Sequence, residues 1–355
     1  MTTSPAHRQS GMILLAVLWV MVGMTLAASL FSAWVLQSRE NAAKLLDAAE
    51  AQHQARSLQA AIIYTRITAA AGPEGAPWPN SQQQGDGQQA QPMFDSLEDF
   101  LSGAAPRLSS TGAIMRMDGK TLAKGKLRIV IQDRAGLIGL LTLDNLMLAR
   151  LAQDTQGTDS ARLRDTLNDY MDPDKLHRLQ GAEAPEYNRL RRAPPLDGIL
   201  RNPLQLRDII AWDDALSRYS DAWILETFRI DGGHFINANS ASVSALQLIL
   251  PKPETATSIL TQRPLRSALQ VNAEQGRGED NFVGVTPGQG LRIWWWLEGD
   301  AVATVDDIQF DALKPGRDAI GLNWSTRVAL SEKLANSPVE QVDHPFFHST
   351  NTIAR

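Results

Sequence analysis

Hydrophobic and polar positions divide the chain into unlike stretches. The first, Met12 to Leu36 (MILLAVLWVMVGMTLAASLFSAWVL), is 25 residues without a charged side chain. At ~1.5 Å rise per residue it makes a helix of roughly 37 Å, enough to cross a ~30 Å hydrocarbon core with some tilt. From Arg39 to about Ala70 the chain stays helical in character, being alanine-rich and free of glycine and proline. Leu45, Leu46, Leu58, Ile62 and Ile63 lie along one broad apolar face that continues to Ile67. Gly72 to Pro92 is rich in glycine, proline and glutamine and reads as a loop, and Met93–Leu101 as a short helix. Lys126–Ile131 (KLRIVI) alternates as a strand does. Residues from about 145 to 270 contain five helical runs, LDNLMLARLA, SARLRDTLNDYM, NPLQLRDIIAW, ASVSALQLIL and ETATSILTQR, separated by turns bearing proline and glycine. After about residue 278 strands return in LRIWWWLEGDAVATVDDIQFDAL and STRVAL. On a strand Trp294 and Trp296 share one face and Trp295 takes the other, which predicts core on one side and a partner or apolar loop on the other. Trp294 and Trp296 are therefore candidate partner-binding residues. The tail from Ala335 reads as irregular.

Composition narrows the possibilities. The 355 residues include 43% hydrophobic and 21% charged side chains, enough apolar material for a real core beyond the membrane helix. Net charge is -5, whereas affinity for nucleic acid rests on clustered lysine and arginine. The absence of cysteine excludes disulfides and thiolate chemistry, leaving oxygen and imidazole as metal ligands. The six histidines show no H-E-x-x-H spacing, and no G-x-S-x-G occurs, so an enzyme is not expected. His7 and Arg8 before the apolar run predict a cytoplasmic N-terminus with the body outside.

The junction Arg8-Gln9-Ser10-Gly11-Met12, a basic polar leader ending in glycine before an apolar helix, resembles a type IV prepilin signal. That resemblance implies cleavage by a membrane prepilin peptidase between Gly11 and Met12 and N-methylation of Met12. Glycine suits the position because it lets extended backbone enter a narrow protease cleft. Most pilins and pseudopilins have a glutamate at the fifth mature position, here Ala16, whose partner is the terminal amine of the neighbouring subunit. Its absence resembles the large K-type minor pseudopilin of type II secretion and implies a place at the end of a filament, which makes Ala16 a candidate partner-contact position. An ordinary signal anchor also needs no glutamate.

Motifs in the body extend the resemblance. Asp133-Arg134-Ala135-Gly136 followed by Leu143-Asp144-Asn145 is similar to the K-type "D-x-x-G-x-x-N-L-N" run, with Gly139 and Leu140 departing from it. Asp169, Asp172, Asp174, Gly181, Ala182, Glu183, Tyr187, Asn202, Pro203 and Leu206, then Ile236, Asn237, Asn239, Ser240 and Ala241, resemble the K-type pattern "D-W-x-D-x-D … G-A-E-x-x-x-Y … N-x-P-x-x-x-x-E-L … I-N-x-N-T-A". Tyr170 stands for the tryptophan, Ser240 for the threonine, and Arg207-Asp208 near the acidic position. The implied architecture is α+β: a pilin-like fold whose long N-terminal transmembrane and amphipathic helix packs on an antiparallel sheet, with a large all-α insertion domain. The expected organisation is a leader (1–11), a transmembrane helix (12–36), an amphipathic spine (37–70), a first part of the pilin-like body (71–144), the inserted helical domain (145–278), and a second part with the tail (279–355). The implied function is that of a minor pseudopilin at the pseudopilus tip in the cell inner membrane, its body periplasmic, acting in assembly initiation and export of folded proteins. Implied partners are other minor pseudopilins, the major pseudopilin, the prepilin peptidase, the inner-membrane assembly platform and secreted substrate.

Asp169, Asp172 and Asp174, with Glu183 and Glu186 soon after, concentrate carboxylates on one turn. By spacing alone they read either as solvated acids at a helix C-terminus or as oxygen ligands for a hard cation. They are not an EF-hand, lacking its glycine and its twelfth-position glutamate. The K-type resemblance implies calcium. Asn239 or Ser240 is expected to cap the helix of SVSALQLIL. Two other readings remain: a type IV pilus minor pilin, which generally lacks the helical insert, and a membrane-anchored helix–hairpin–helix DNA-binding or competence protein. The second would place its hairpin at Leu250-Pro251-Lys252-Pro253, where prolines have removed N–H donors.

Overall fold

A single uninterrupted helix, α1 (Ser10–Thr68), opens the fold. It contains no proline and ends just before Gly72-Pro73, which cannot continue it. The computed structural model describes residues 10–78, 92–93, 107–108, 113–153, 155–233, 235–275, 283–311, 320–342 and 347. Two compact units divide it, Met1–Arg56 and Ser57–Arg355. In the first, α1 is long and apolar enough to span a membrane, and its side chains from Ile13 to Leu36 are almost all exposed. The apolar face expected to include Leu45 and Leu46 differs here, since both are more than two-thirds exposed. Flanked by Lys44 and Asp47, they are not in a core.

In the second unit the end of α1 lies on a sheet. Leu58, Ile62 and Thr65 are buried at the i, i+4, i+7 spacing that puts side chains on one helix face. Beside this stripe Gln59 donates to Asp306 (3.2 Å) and Arg66 to the Gly288 carbonyl (2.6 Å). Burying Leu58 and Ile62 is worth about 1.5–3 kcal/mol each. Ile67 is half-exposed and outside the stripe.

The main sheet contains β1 (Asp118–Lys124), β2 (Leu127–Asp133), β3 (Gly290–Leu297), β4 (Val302–Phe310), β5 (Ile320–Ala329) and β6 (Val339–Glu340). Its spatial order is β5-β4-β3-β2-β1-β6. All neighbours are antiparallel except β6, which runs parallel to β1 at the edge. Thus part of the tail expected to be irregular joins the sheet. β2 and β3 are paired from Leu127↔Leu297 to Asp133↔Leu291, so residues 134–289 depart from the end of β2 and return at the start of its neighbour.

Within residues 134–289 short helices alternate with irregular chain: α2 (Asn145–Ala152), α3 (Ser160–Met171), α4 (Ala184–Arg189), α5 (Trp212–Leu216), α6 (Asp221–Thr227), α7 (Val243–Ile249), α8 (Ala256–Thr261) and α9 (Ala268–Gln275). Four of these starts have a plain sequence reason. Asp144 accepts from Met147 N, Asp159 from Arg162 N, Ser220 from Trp223 N and Ser242 from Ala245 N, all at 2.8–3.1 Å, satisfying first-turn donors the helix leaves free. The cap of α7 is therefore Ser242, not Asn239 or Ser240. Two short parallel strand pairs interrupt the helices, Ile138–Gly139 with Phe228–Arg229 and Ile236–Asn237 with Val283–Gly284, so residues 145–278 do not form the all-α domain expected from the sequence. An apolar core including Leu151, Leu163, Tyr187, Leu206, Trp212, Phe228 and Leu246 holds them together, and Trp212 Nε1 donates to the Leu163 carbonyl at 2.8 Å. The helix expected over Met93–Leu101 lies outside the described residues except for Met93, which pairs in the strands Pro92–Met93 and Arg107–Leu108.

Candidate functional site

Three places collect the residues singled out by sequence: the sheet face bearing the tryptophans, the base from which residues 134–289 depart, and the acidic turn after α3.

Trp294 and Trp296 are buried, 1% and 4% exposed, in a cluster with Val130, Leu225, Val305, Trp324, Val328 and Leu334. Leu225 belongs to α6, and Leu334 to a short helix, α10 (Glu332–Ala335). These two helices cover the face, so Trp294 and Trp296 are core rather than partner-binding surface. The alternation itself holds: Trp295, on the opposite face, is partly exposed and donates to Asp306 at 3.3 Å.

The same face of the sheet carries a buried ion pair. Arg292 and Asp307 are both fully buried and meet at 2.5 Å. Arg292 also donates to the carbonyls of Leu225 and Phe228, the latter at 2.7 Å, and lies 4.7 Å over the Trp324 ring. Asp307 accepts from Asn323 (2.7 Å), the extra residue of a bulge in β5, and pairs with Arg134 at 3.0 Å. Burial alone would raise the Asp307 carboxyl, but Arg292, Arg134 and Asn323 together hold it below the usual carboxylate range.

At the end of β2, buried Asp133 joins motifs that the sequence keeps about a hundred residues apart. One oxygen accepts from Ala135 N and Gly288 N, both at 3.0 Å. The other accepts from Asn237 Nδ2 (2.8 Å) and Ser240 Oγ (3.2 Å). Its pKa is raised by burial, opposed chiefly by these donors. Asn239 is satisfied on both sides, donating to the Leu265 and Val285 carbonyls and accepting from Leu265 N at 2.7–2.9 Å. Gly136 is pressed against the Ser240–Ala241 backbone, where a Cβ would stand 2.6 Å from Ser240 C. A cavity of about 510 Å³ adjoins this junction, bordered by Arg116, Asp118, Asp133, Asn239, Arg263 and Glu340 among others. Burial pushes the Arg263 guanidinium down to about 10 against the opposing charge of Asp118.

The acidic turn is partly closed. Asp169, at the end of α3, is fully buried; one oxygen lies 3.1 Å from Arg178 Nε as an ion pair and the other accepts from Arg178 N at 3.2 Å. Asp172 takes the same guanidinium at 3.0 Å. Gly181 fits flush against the Asp169 carboxylate, because a Cβ there would lie 1.8 Å from Oδ2. Glu183 is 5% exposed, and its Oε1, like Asp172 Oδ1, is buried with no hydrogen-bond partner. Its carboxyl is raised first by burial and then by Asp169, Asp172, Asp197 and Asp174. Asp169 is raised too, by burial foremost. Asp174 stands apart at the surface, accepting from Leu176 N at 2.8 Å. Glu186 is committed elsewhere, accepting from Glu183 N at 3.1 Å and from Arg189. Among the described residues, no three histidine or acidic side chains close around a common point tightly enough to enclose an ion. Arg178 and Asp197 were not singled out by sequence: neither lies on a recognisable spacing, and only the return of the chain past α3 brings them in.

Near its N-terminal end, α1 includes Gly11 and Met12 and presents Ala16 on its exposed apolar surface.

No protein-family model matches the chain, and comparison with curated proteins gives no match. Among solved structures, the chain is similar to a chain of the GspK–GspI–GspJ complex of the type 2 secretion system from enterotoxigenic Escherichia coli, with 14% identity and a TM-score of 0.37, over 58% of this chain and 81% of that one.

Proposed function

We propose that this protein is a K-type minor pseudopilin of a type II secretion system, anchored in the inner membrane by α1 with its body in the periplasm. In this reading it has no enzymatic activity. It sits at the pseudopilus tip with other minor pseudopilins, takes part in initiating assembly on the inner-membrane platform and the major pseudopilin, and serves export of folded proteins. One observation carries the reading. A long stretch bearing short helices departs from and returns to adjacent antiparallel strands, and the two separated K-type motifs meet at its base, Asp133 and Gly136 against Asn237 and Ser240. An insertion of this bulk suits the end of a filament, since close-packed α1 spines leave no room for it along a shaft. The missing carboxylate at Ala16 suits the same place, because a terminal subunit has no neighbour beyond it to dock that way.

A calcium ion belongs to the proposal. The residues fit a hard cation in chemistry: two buried carboxylate oxygens, Asp172 Oδ1 and Glu183 Oε1, lack donors, and buried Asp169 adds a third carboxylate. Asp169, Asp172 and Glu183 would hold the ion, with Asp197 close enough to raise the Glu183 carboxyl. Bound there, calcium would neutralise clustered charge that burial otherwise penalises. Asp174 and Glu186 have other partners and are outer members at most.

The helix–hairpin–helix alternative has less support. The carbonyls of Gln247, Leu248, Leu250 and Pro251 all accept from Arg150 at 2.7–3.2 Å, so this turn presents acceptors inward rather than N–H groups to phosphate.

Mass spectrometry of the mature N-terminus tests the main reading. An N-methylated Met12 is expected, whereas an intact leader, or a cut at the small residues Ala27-Ala28-Ser29 of the kind signal peptidase makes, overturns it.

A further inference from the structure

The geometry points to Arg178 as a built-in counterion that occupies the acidic turn until a divalent cation displaces it. The inference rests on the calcium reading above and adds to it a residue that sets the affinity.

Asp169 and Asp172 are both bridged by one guanidinium, at 3.1 and 3.0 Å. The Arg178 backbone N–H anchors Asp169 independently at 3.2 Å, so the carboxylate keeps a donor when the side chain leaves. The Arg178 side chain is 44% exposed, giving it an open path to solvent. Its departure returns the guanidinium to water, whereas Asp169 and Glu183 are too buried to move outward. The carboxylates are the fixed part of the site and the arginine the removable part.

Charge explains why a removable cation is needed. Glu183 lies among Asp169, Asp172, Asp197 and Asp174, each of which disfavours its ionised form, and its Oε1 has no donor. A guanidinium reaches two of these carboxylates and leaves Glu183 unpaired. A compact divalent ion supplies more charge and accepts six to eight oxygens at once. The arginine thus holds the turn together without calcium, at the expense of competing with it.

Calcium titration of the full-length protein in detergent, followed by calorimetry and thermal unfolding, tests this with Arg178→Gln. The expected result is calcium affinity about tenfold tighter than wild type, the size of losing a charge-assisted competitor, together with a lower melting temperature in the absence of calcium. Equal or weaker affinity in Arg178→Gln, with wild type still binding, overturns the role of Arg178 alone. No calcium binding by either protein overturns the calcium reading itself. Should Arg178→Gln not fold without calcium, nuclear magnetic resonance of wild type labelled with ¹⁵N-arginine gives the answer. The Arg178 Nη2–H, which donates to Asp172 at 3.0 Å, should exchange faster when calcium saturates; an unchanged exchange rate refutes displacement.

Discussion

Replacing Gly136 with alanine sets a methyl carbon 2.6 Å from Ser240 C and Oγ and 2.7 Å from Ala241 N. Two of these atoms are backbone, so no rotamer change relieves the clash, and one segment must shift by several tenths of an ångström. That shift acts on the donors to Asp133, because Ser240 Oγ and Asn237 Nδ2 supply one of its two oxygens. Overpacking of a tight contact costs about 1–3 kcal/mol, and leaving a buried carboxylate oxygen short of donors adds about 1–3 kcal/mol. Taking about 3 kcal/mol as the combined effect, thermal unfolding of the full chain followed by circular dichroism should move down by roughly 4–5 °C. Gly284→Ala is the control. Gly284 is in the strand pair that includes Asn237, yet a Cβ there meets nothing within 4 Å, so a change within about 0.5 kcal/mol is expected. If Gly136→Ala melts with Gly284→Ala, the junction is not the close-fitted latch described, and the meeting of the two motifs has no energetic weight.

Asp307→Asn leaves Arg292 buried with no anionic partner on β4 and should destabilise by about 3–5 kcal/mol, measured by denaturant unfolding at pH 7. Because the folded Asp307 pKa is depressed, its contribution is full above the unfolded value of about 3.9 and is lost as pH falls through the folded value; the variant's deficit should shrink only in acid. Glu226 has the opposite sign. Burial raises its carboxyl against the pull of Lys333, and its Oε1 has no donor, so ionisation strains the folded state. Glu226→Gln should gain on the order of 1 kcal/mol at pH 7 and abolish the rise in wild-type stability that this group contributes as pH falls from 7 toward 4.

Local periodicity made much of the fold legible. The uncharged run of α1, the alternation of β2, the β3–β4 hairpin and the starts of α2 and α3 all follow from neighbours a few residues apart. What covers each face did not follow. Trp294 and Trp296 were rightly set on one side of a strand, but α6 and α10, which bury that side, are distant in sequence. The capping residue was missed for a related reason: Asn239 and Ser240 look like caps, yet their side chains are taken by Leu265, Val285 and Asp133, leaving Ser242 to cap. In the acidic turn the carboxylates were visible as a cluster. Which of them are buried, and that Arg178 bridges two of them, depends on tertiary packing that no spacing records.

The two polar centres also explain why the helical segment and the sheet belong to one compact unit. The apolar core of the helices and the tryptophan cluster of the sheet could each form without fixing how one lies on the other, since hydrophobic burial is non-directional. Arg292 removes that freedom by bonding the Leu225 and Phe228 carbonyls while paired to Asp307. Asp133 removes it at the other end, binding Asn237 and Ser240 from the helical segment and Gly288 where the chain returns. Neither centre need add net stability over apolar packing, because desolvation offsets much of what buried charges gain. Their contribution is geometric. Sliding the segment would strand a buried arginine or a buried carboxylate without partners, at several kcal/mol each, so the fold admits one seating of the helices on the sheet.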